Sequence, residues 1–512
     1  MGNKIESVQR LFSFQKINIR KDAKMTSRPL KLFFVLFAGS AFYRLVLFLE
    51  KILLSRYLGP HDFGVFSLSI SIVNLALFFM YLGIPTACIR FYSLYLVKGE
   101  FEKINGLIKF SRMFSYTAGI TTSIAVFILA NKLGTFYNSL LLGTMIKIIS
   151  PSIFLLLYTD VVASLYMGMS NPWYKFSREA LYGIVQISFY TIGVLLLFNI
   201  LYFPISYLIS ALIIFFIASF KYPKLYKDYS CVIEIREWLL YSLPIAFTSI
   251  FALFLGRVDN LILGKLIDMK NVGIYSVAYS LALLLRFVLV VASEAYFPLA
   301  SSLSAEKSFS SLENLLKRTS EWVILITMPL FVIAFNYADK FIHLFFGANY
   351  SASIVPFRVL LVGHAFTILV GLVGPTLTAI GVTRAFLYIG VFSSVFNIIL
   401  DLIFIRFFGI SGAAIASAIS LALNSLISFL FIKVKFNISS IGKVTGLVFL
   451  LVIFNVITVS FLKNTHFVHF ITFVEVLLLL LFLAEGIKNR KDELTEIFPF
   501  FKEFRFWGRK RE

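Results

Sequence analysis

Charged side chains interrupt the long apolar stretches of this chain, and their types and spacing could do chemistry. A charge within hydrocarbon costs about 2.5–3.5 kcal/mol on insertion scales, so each one needs a partner or a water-filled cavity. Arg44 and Lys51 lie two helical turns apart on nearly the same face of one apolar stretch. Arginine stays charged when it is desolvated and can bind carboxylate or phosphate oxygens through two nitrogens. The pattern therefore indicates either a cavity for an anion or charge pairs between helices.

The candidate residues fall into a basic and an acidic group. We expect the basic group to bind an anionic ligand, with ion pairing between helices as the alternative; its members are Arg44, Lys51, Arg257 and Arg286. We expect the acidic group to form a gate or to bind a coupling cation, with pairing to a basic neighbour or packing as the alternative; its members are Glu50, Asp259, Glu294, Asp160 and Asp401. Facing carboxylates would share a proton, which is one hypothesis for Glu50 and Asp259. The sequence has no metal-ligand pattern and no phosphate-binding glycine loop, so we predict no resident cofactor or metal. We expect transport to be coupled to a proton or Na⁺ gradient.

The apolar composition requires a membrane as the solvent. Of 512 residues, 59% are hydrophobic and only 14% are charged, which is more apolar surface than a soluble domain can carry. Stretches of about 20 apolar residues predict about fourteen membrane helices, and hence an all-α integral membrane fold. Their approximate limits are 31–57, 64–91, 106–130, 138–167, 173–198, 200–220, 236–264, 272–300, 321–338, 354–380, 384–405, 411–433, 441–463 and 467–486.

The basic residues are distributed asymmetrically about these spans. The net charge of +21 would suit a nucleic acid, but Lys and Arg gather in the loops of one side, as Lys221, Lys224 and Lys227 illustrate. This bias is typical of the cytosolic side of an inserted protein and predicts no nucleic-acid partner. It also predicts a multi-pass protein of the cytoplasmic membrane with both termini in the cytosol.

A repeated segment divides the chain. Residues 267–281 resemble residues 58–72, most visibly in Gly64-Val-Phe-Ser67 and Gly273-Ile-Tyr-Ser276. A repeat in the same direction predicts two parallel halves with a path between them. The predicted divisions are a basic cytosolic arm (1–30), a first six-helix bundle (31–230), a second six-helix bundle (231–433), an additional helix pair (434–486) and a basic cytosolic tail (487–512).

Four stretches carry a resemblance to a known family. They are residues 56–67 with 82–91, residues 257–264 with 273–276, residues 346–350 with 360–361, and residues 409–416. In order and spacing the chain resembles the polysaccharide-biosynthesis (oligosaccharide flippase) branch of the multidrug/oligosaccharidyl-lipid/polysaccharide exporter superfamily. The resemblance implies a MATE-like fold, in which two six-helix bundles form a V around a central cavity and an extra helix pair follows.

The resemblance also implies an activity. It predicts a monomeric membrane transporter, not an enzyme, that moves a polyprenyl-linked oligosaccharide across the cytoplasmic membrane by alternating access for glycan assembly. Its partners would be that substrate and membrane lipids. The alternatives are a cation-coupled multidrug exporter of the same superfamily and a membrane glycan polymerase. An exporter of cationic drugs should have an acidic cleft, whereas the central positions here are basic, and the short outer loops disfavour a polymerase.

Overall fold

The structure is a computed structural model that describes residues 27–169, 171–227, 229–461 and 465–489. Within these ranges every regular element is helical, which confirms the predicted all-α class. The predicted basic arm and basic tail lie almost entirely outside the described residues. The helices up to residue 220 are α1 (Ser27–Tyr81), α2 (Ile84–Lys98), α3 (Phe101–Phe136), α4 (Leu140–Ile149), α5 (Ser152–Gly168), α6 (Pro172–Leu195) and α7 (Tyr202–Phe220). Within α1, two helices meet at a kink at Gly59, whose φ of 72° and ψ of 174° are not helical.

The remaining helices follow a linker at residues 221–234. They are α8 (Ile235–Leu266), α9 (Met269–Leu283), α10 (Phe287–Ala305), α11 (Phe309–Asn336), α12 (Ala338–Phe346), α13 (Ile354–Val370), α14 (Val373–Ala379), α15 (Thr383–Phe408), α16 (Ile410–Phe436), α17 (Lys443–Phe461) and α18 (Thr465–Asn489). Two 3₁₀ turns, Leu284–Arg286 and Ala348–Ser353, precede α10 and α13.

Nine helical segments of the described residues are long and apolar enough to cross a membrane. They are Phe42–Lys98, Phe101–Phe136, Leu140–Gly168, Tyr202–Phe220, Met269–Ala305, Phe309–Asn336, Ala348–Val370, Arg384–Phe408 and Ile410–Phe436. The first of them covers two of the predicted spans, and two shorter apolar helices lie at Val444–Val459 and Val468–Ala484. Helix α6 is not among the nine, and its first half carries Lys175, Arg178 and Glu179.

Several predicted spans are broken where the sequence predicts continuous helix. The second span is interrupted at Leu82 and Gly83, both in the left-handed region with φ of 43° and 70°. A β-carbon on Gly83 would lie 2.2 Å from the Ser242 carbonyl oxygen of α8, so only glycine allows this close approach. The eighth span is broken by the 3₁₀ turn that ends at Arg286. These breaks depend on contacts between distant helices, which hydropathy does not report.

The helices before and after the linker pack mainly within their own group. Helix α1 packs on α6, α3 on α4 and α5, and α5 on α7. In the second group α16 packs on α13 and α15, α8 packs on α15, and α9 packs on α13. The two groups meet where α1 packs on α8 and α9 and where α2 packs on α8, while α17 and α18 pack on α11.

The two copies of the repeated segment contact each other. A β-carbon on Gly64 would lie 1.8 Å from the Met269 carbonyl oxygen, and one on Gly273 would lie 2.0 Å from the Pro60 carbonyl oxygen. Pro60 and Met269 are equivalent positions of the repeat, so each copy places its glycine against the same carbonyl of the other. Such reciprocal contact is the geometry of a two-fold interface. Because glycine has no β-carbon, the backbones of α1 and α9 can contact each other directly at these two positions, as they do at small residues between membrane helices.

Polar contacts surround this glycine contact. The Tyr350 hydroxyl donates to the Ser55 carbonyl oxygen over 2.9 Å. The guanidinium of Arg56 donates through Nε to the Phe345 carbonyl oxygen over 2.8 Å. We call this end of the molecule, where residues 58–72 meet residues 267–281, the repeat end. The contacts join the two helix groups there and close the space between them.

The opposite end, which we call the linker end, is organised around residues 221–234. The Tyr95 hydroxyl donates to the Glu234 carboxylate over 2.8 Å, Lys103 lies 3.0 Å from it, and Trp238 Nε1 donates to the Tyr95 hydroxyl over 3.1 Å. Burial raises the pKa of Glu234, but the hydrogen bonds from Tyr95 and Lys103 outweigh it and leave the pKa below its usual value. The linker thereby fixes the start of α8 to α2 and α3.

The glycine contact makes a prediction about closure of the repeat end. We expect Gly64→Ala and Gly273→Ala to open this end, because overpacking costs about 1–3 kcal/mol, or roughly 5- to 150-fold in a two-state population. In a Cys231→Ser background, an introduced Ser276→Cys reports the opening, since Ser276 is buried. Its maleimide labelling rate in detergent should rise about tenfold or more in either glycine variant.

The matched control is Gly390→Ala, because a β-carbon at Gly390 would meet nothing within 4 Å. Labelling as slow in both repeat-end variants as in this control would contradict the role given to the two glycines.

Candidate functional site

Arg44, Arg286 and Glu294 come together from distant parts of the chain. Arg44 on α1 and Glu294 on α10 are exposed, and Arg286, at the end of the 3₁₀ turn before α10, is half-buried. The Arg44 charge acts on both Arg286 and Glu294, and Lys175 of α6 acts on Glu294 as well. We call Arg44 and Arg286 the arginine pair, and the region of α1, α6 and α10 that carries the exposed residues Arg44, Lys175 and Glu294 the cleft. The structure therefore brings two of the predicted ligand-binding arginines into one electrostatic neighbourhood.

The arginine pair is not neutralised by ion pairs. Among the described residues, neither Arg44 nor Arg286 forms a salt bridge. The Arg286 Nε atom is buried and has no hydrogen-bond partner within the described part of the chain. Glu294 is near but forms no salt bridge with either of them among the described residues, so the two guanidinium groups keep hydrogen-bond donors and positive charge available. An anion with several oxygens would satisfy both.

Glu50 and Lys51 lie farther along α1. Glu50 is only 5% exposed, and one of its carboxylate oxygens lacks a hydrogen-bond partner among the described residues. Lys51 acts on Glu50 electrostatically, and Glu50 acts on Tyr190 of α6. The Tyr190 hydroxyl accepts a hydrogen bond from Gln186 over 2.8 Å. Glu50 therefore belongs to the contact between α1 and α6.

Asp259 and Asp401 form a buried acid cluster. The Asp259 carboxylate accepts hydrogen bonds from the Tyr275 hydroxyl and, over 2.6 Å, from the Ser417 hydroxyl. Asp401 faces Asp259, and no N–H or O–H donor of the described residues reaches its carboxylate. The amide of Asn397, one turn before Asp401, is also buried without a described partner. Two buried carboxyl groups that face each other need a shared proton or a cation.

The two halves thus place their equivalent acids in different surroundings. Glu50 and Asp259 hold corresponding positions of the repeat, but Glu50 contacts the α6 side and Asp259 contacts Asp401 of α15. The hypothesis that Glu50 and Asp259 face each other is therefore not what the structure shows. Arg257 lies on α8, and its side chain is outside the described ones.

Asp160 lies in a second polar site, within the first helix group. Its carboxylate forms an ion pair with Arg178 and accepts a hydrogen bond from the Tyr81 hydroxyl. Arg178 also donates to the Thr159 hydroxyl over 2.9 Å. Beside this pair is a cavity of about 380 Å³ lined by α1, α2, α5 and α6, with Ala246 of α8 at one side. We call it the Arg178 pocket.

Sequence reasoning missed the basic partner in this pocket. Lys175, Arg178 and Glu179 all lie near the start of α6, inside a stretch predicted as the fifth membrane span. Their spacing of three and four residues places them on one helical face, which is a signal that could have identified them. Lys175 and Glu179 also act on Glu294, so this side of the pocket lining shares an electrostatic neighbour with Arg44.

Comparison with known proteins identifies the family. A family model described as polysaccharide biosynthesis protein matches residues 53–355, which is more than half of the chain. The chain belongs to the polysaccharide biosynthesis protein family. A probable low-salt glycan biosynthesis flippase of Haloferax volcanii, Agl15, is 30% identical to this chain over 217 residues. That match covers 41% of this chain and 45% of the relative, so the chain matches less than half of the relative's length.

Solved structures agree on the fold of this polysaccharide biosynthesis protein. The lipid II flippase MurJ in an inward closed conformation has a TM-score of 0.68 at 18% identity, over 89% of this chain and 99% of that one. An inward-facing multidrug resistance MATE family transporter of the MOP superfamily has a TM-score of 0.67 at 15% identity, over 77% and 94%. The predicted membership of the polysaccharide-biosynthesis family is confirmed. The solved structures show that this chain has the fold that those two proteins share, and the chain is a multi-pass membrane protein.

Proposed function

We propose that this transporter is a flippase for a lipid-linked oligosaccharide, and that Arg44 and Arg286 bind the phosphate or diphosphate of its polyprenyl carrier. The arginine pair carries the proposal, because among the described residues neither arginine forms a salt bridge, Arg44 is exposed and the Arg286 Nε has no hydrogen-bond partner. Guanidinium groups bind phosphate oxygens through paired hydrogen bonds and keep their charge in a medium of low dielectric constant. The description of Agl15 as a probable glycan biosynthesis flippase supports the same substrate class.

The proposed architecture has fourteen spans in two six-helix bundles, residues 31–230 and 231–433, that form a V-shaped central cavity, with a helix pair at 434–486. The linker end faces the cytosol, because Lys221, Lys224 and Lys227 lie there and basic loops stay on that side. Both termini are then cytosolic, and the membrane is the cytoplasmic one. The protein acts as a monomer.

The proposed cycle follows from which end is closed. With the repeat end shut by the glycine contact, the headgroup enters the cleft from the linker end while the lipid tail stays in the bilayer. Rocking of the two bundles then opens the repeat end and closes the linker end. Arg257 and Lys51 remain candidates for later contacts along the path, and Glu294 and Glu50 remain candidates for the gate.

A multidrug exporter is the rival function, and the charge of the cleft disfavours it. A cationic drug needs acidic groups that it can reach. Here Asp259 and Asp401 are both 0% exposed, whereas the exposed central positions include Arg44 and Lys175. Glu294 is one exposed acid among them, so the balance favours an anionic ligand.

We also propose that the acid cluster couples transport to a cation gradient. Asp259 and Asp401 belong to α8 and α15, so a proton or Na⁺ bound between them would draw these helices together, and its release would let them separate. Asp160, by contrast, already has Arg178 as its partner and is left with a structural role in the first bundle.

The arginine pair makes the first functional prediction. Arg44→Ala and Arg286→Ala should each slow translocation about 10- to 100-fold, because a hydrogen bond to a charged group contributes about 1.5–3 kcal/mol. The measurement is the rate at which a fluorescent polyprenyl-diphosphate oligosaccharide in proteoliposomes becomes inaccessible from the leaflet in which it started. The control is Arg406→Ala, an exposed arginine at the end of α15 outside the cleft. If both arginine variants translocate the lipid as fast as the control variant, at equal yields of folded protein, the two arginines have only a packing role.

The acid cluster makes the second functional prediction. We expect wild-type transport to fall when either the proton or the Na⁺ gradient is collapsed, and Asp401→Asn to remove that dependence by removing the cation's ligand. Glu475→Gln is the matched control, because Glu475 is also buried but lies on α18, where it accepts a hydrogen bond from Asn455. A wild-type protein that is indifferent to both gradients would eliminate the coupling proposal.

A further inference from the structure

The Arg178 pocket shares the exposed residue Lys175 with the cleft. Its residues Lys175 and Glu179 lie on α6 and act on Glu294 across the cleft, as Arg44 does. A headgroup whose phosphate is bound by the arginine pair therefore has this pocket beside it. The cavity volume of about 380 Å³ lies within the range of about 300–1,000 Å³ that is usual for small-molecule sites.

The charges inside the pocket compensate each other, unlike those of the arginine pair. Arg178 is paired with Asp160, and Lys175 lies 3.9 Å from Glu179. A second phosphate would meet both acids, and a cationic ligand would meet both basic groups. A neutral or weakly polar ligand is the class that this lining repels least.

The pocket wall offers hydrogen bonds to such a ligand. Lys175 and Glu179 form a long, partly exposed pair, and pairs of that kind contribute about 0–1 kcal/mol, so both groups remain available. Thr86 adds an exposed hydroxyl on α2. Phe78 and Met167 supply apolar surface between these polar groups. Hydroxyl groups on a ring with apolar C–H faces match this mixture.

The polar wall of the pocket is held in place by buried contacts. Tyr81 donates to Asp160 at the point where the second span breaks, and Leu82 and Gly83 then redirect the chain into α2. Gly83 is packed against the Ser242 carbonyl oxygen, so the start of α2, which carries Thr86, is fixed against α8. Because these contacts already order the pocket wall, binding of a rigid ring costs little additional conformational entropy in the protein.

We infer that the Arg178 pocket receives a sugar ring of the headgroup while the arginine pair holds the phosphate. The inference rests on the proposed function and adds a division of labour to it. Lys175, Glu179 and Thr86 determine the sugar preference, and the Arg178–Asp160 pair supports the pocket wall. The pocket determines specificity. Substitutions in its lining should therefore change the relative affinities for different sugar headgroups and leave phosphate binding unchanged.

The test compares two kinds of probe on the purified full-length protein in nanodiscs. One is farnesyl diphosphate, and the other is farnesyl diphosphate that carries a single glucose, mannose, N-acetylglucosamine or glucuronic acid. The measured quantity is the sugar preference, which is the ratio of the dissociation constants of the bare and the sugar-bearing probes. Wild type should prefer at least one sugar-bearing probe.

The variant for this test is Lys175→Met combined with Thr86→Val, which removes two hydrogen-bonding groups and keeps the side-chain volumes. We expect it to lower the sugar preference about tenfold, since each lost hydrogen bond is worth about 0.5–1.5 kcal/mol. Lys224→Met, an exposed linker lysine, is the matched control and should leave the preference unchanged. Arg44→Ala should weaken both probes and leave their ratio in place.

The outcomes separate the two proposals. If wild type binds the bare probe and transports glycolipid but prefers no sugar, or if the double variant keeps the wild-type preference, the pocket inference is wrong and the proposed function stands. If wild type binds neither kind of probe, the phosphate role of the arginine pair fails and the pocket inference fails with it.

Discussion

The backbone contact between Gly64 and Gly273 is the constraint on which the rest of the structure depends. Each glycine lies against a carbonyl oxygen of the other repeat, at Met269 and Pro60, at distances that no β-carbon could tolerate. The contact joins the two helix groups at the repeat end, while Arg44, Lys175 and Glu294 remain exposed. Equivalent surfaces of a duplicated segment pack on each other here, so they can separate and re-form without new partners when the repeat end opens in the proposed cycle.

Burial of charge explains why the polar sites differ in what they can do. In the Arg178–Asp160 pair, the attraction between opposite charges and the hydrogen bond from the Tyr81 hydroxyl offset the free energy of desolvation. Asp259 and Asp401 cannot do so, because two like charges face each other and require a proton or a cation. The arginine pair differs from both, because Arg44 is exposed whereas Arg286 is half-buried and its Nε has no hydrogen-bond partner among the described residues. The sites without an internal partner are therefore the ones that need an external ligand.

The sequence predicted the elements better than the contacts between them. Apolar length placed the sixth and twelfth spans at 200–220 and 411–433, and the helices are Tyr202–Phe220 and Ile410–Phe436. The repeat was visible because duplication leaves matching residues, although nothing in one dimension shows that Gly64 and Gly273 face each other's carbonyls. Charge identified Arg44 and Arg286 because each interrupts an apolar stretch.

The rest depended on distances that hydropathy does not contain. Arg178 pairs with an acid on another helix, and Asp401 meets Asp259 from a helix far along the chain. The turn at Leu82 and Gly83 is favoured by the positive φ of Gly83, by Pro85 in the first turn of α2 and by the close packing on α8, none of which apolar length reports. The sequence could name candidate charges, but only the packing decides which of them are already satisfied.

The central claim is that the two helix groups pivot so that one end closes as the other opens. Pulsed electron paramagnetic resonance tests it with spin labels at exposed His61 and Lys270 for the repeat end, and at exposed Trp173 and Glu306 for the linker end. Addition of a polyprenyl-diphosphate oligosaccharide should populate longer distances at the repeat end and shorter distances at the linker end in the same sample. Distances that stay fixed at both ends, or that change in the same direction, would contradict the account.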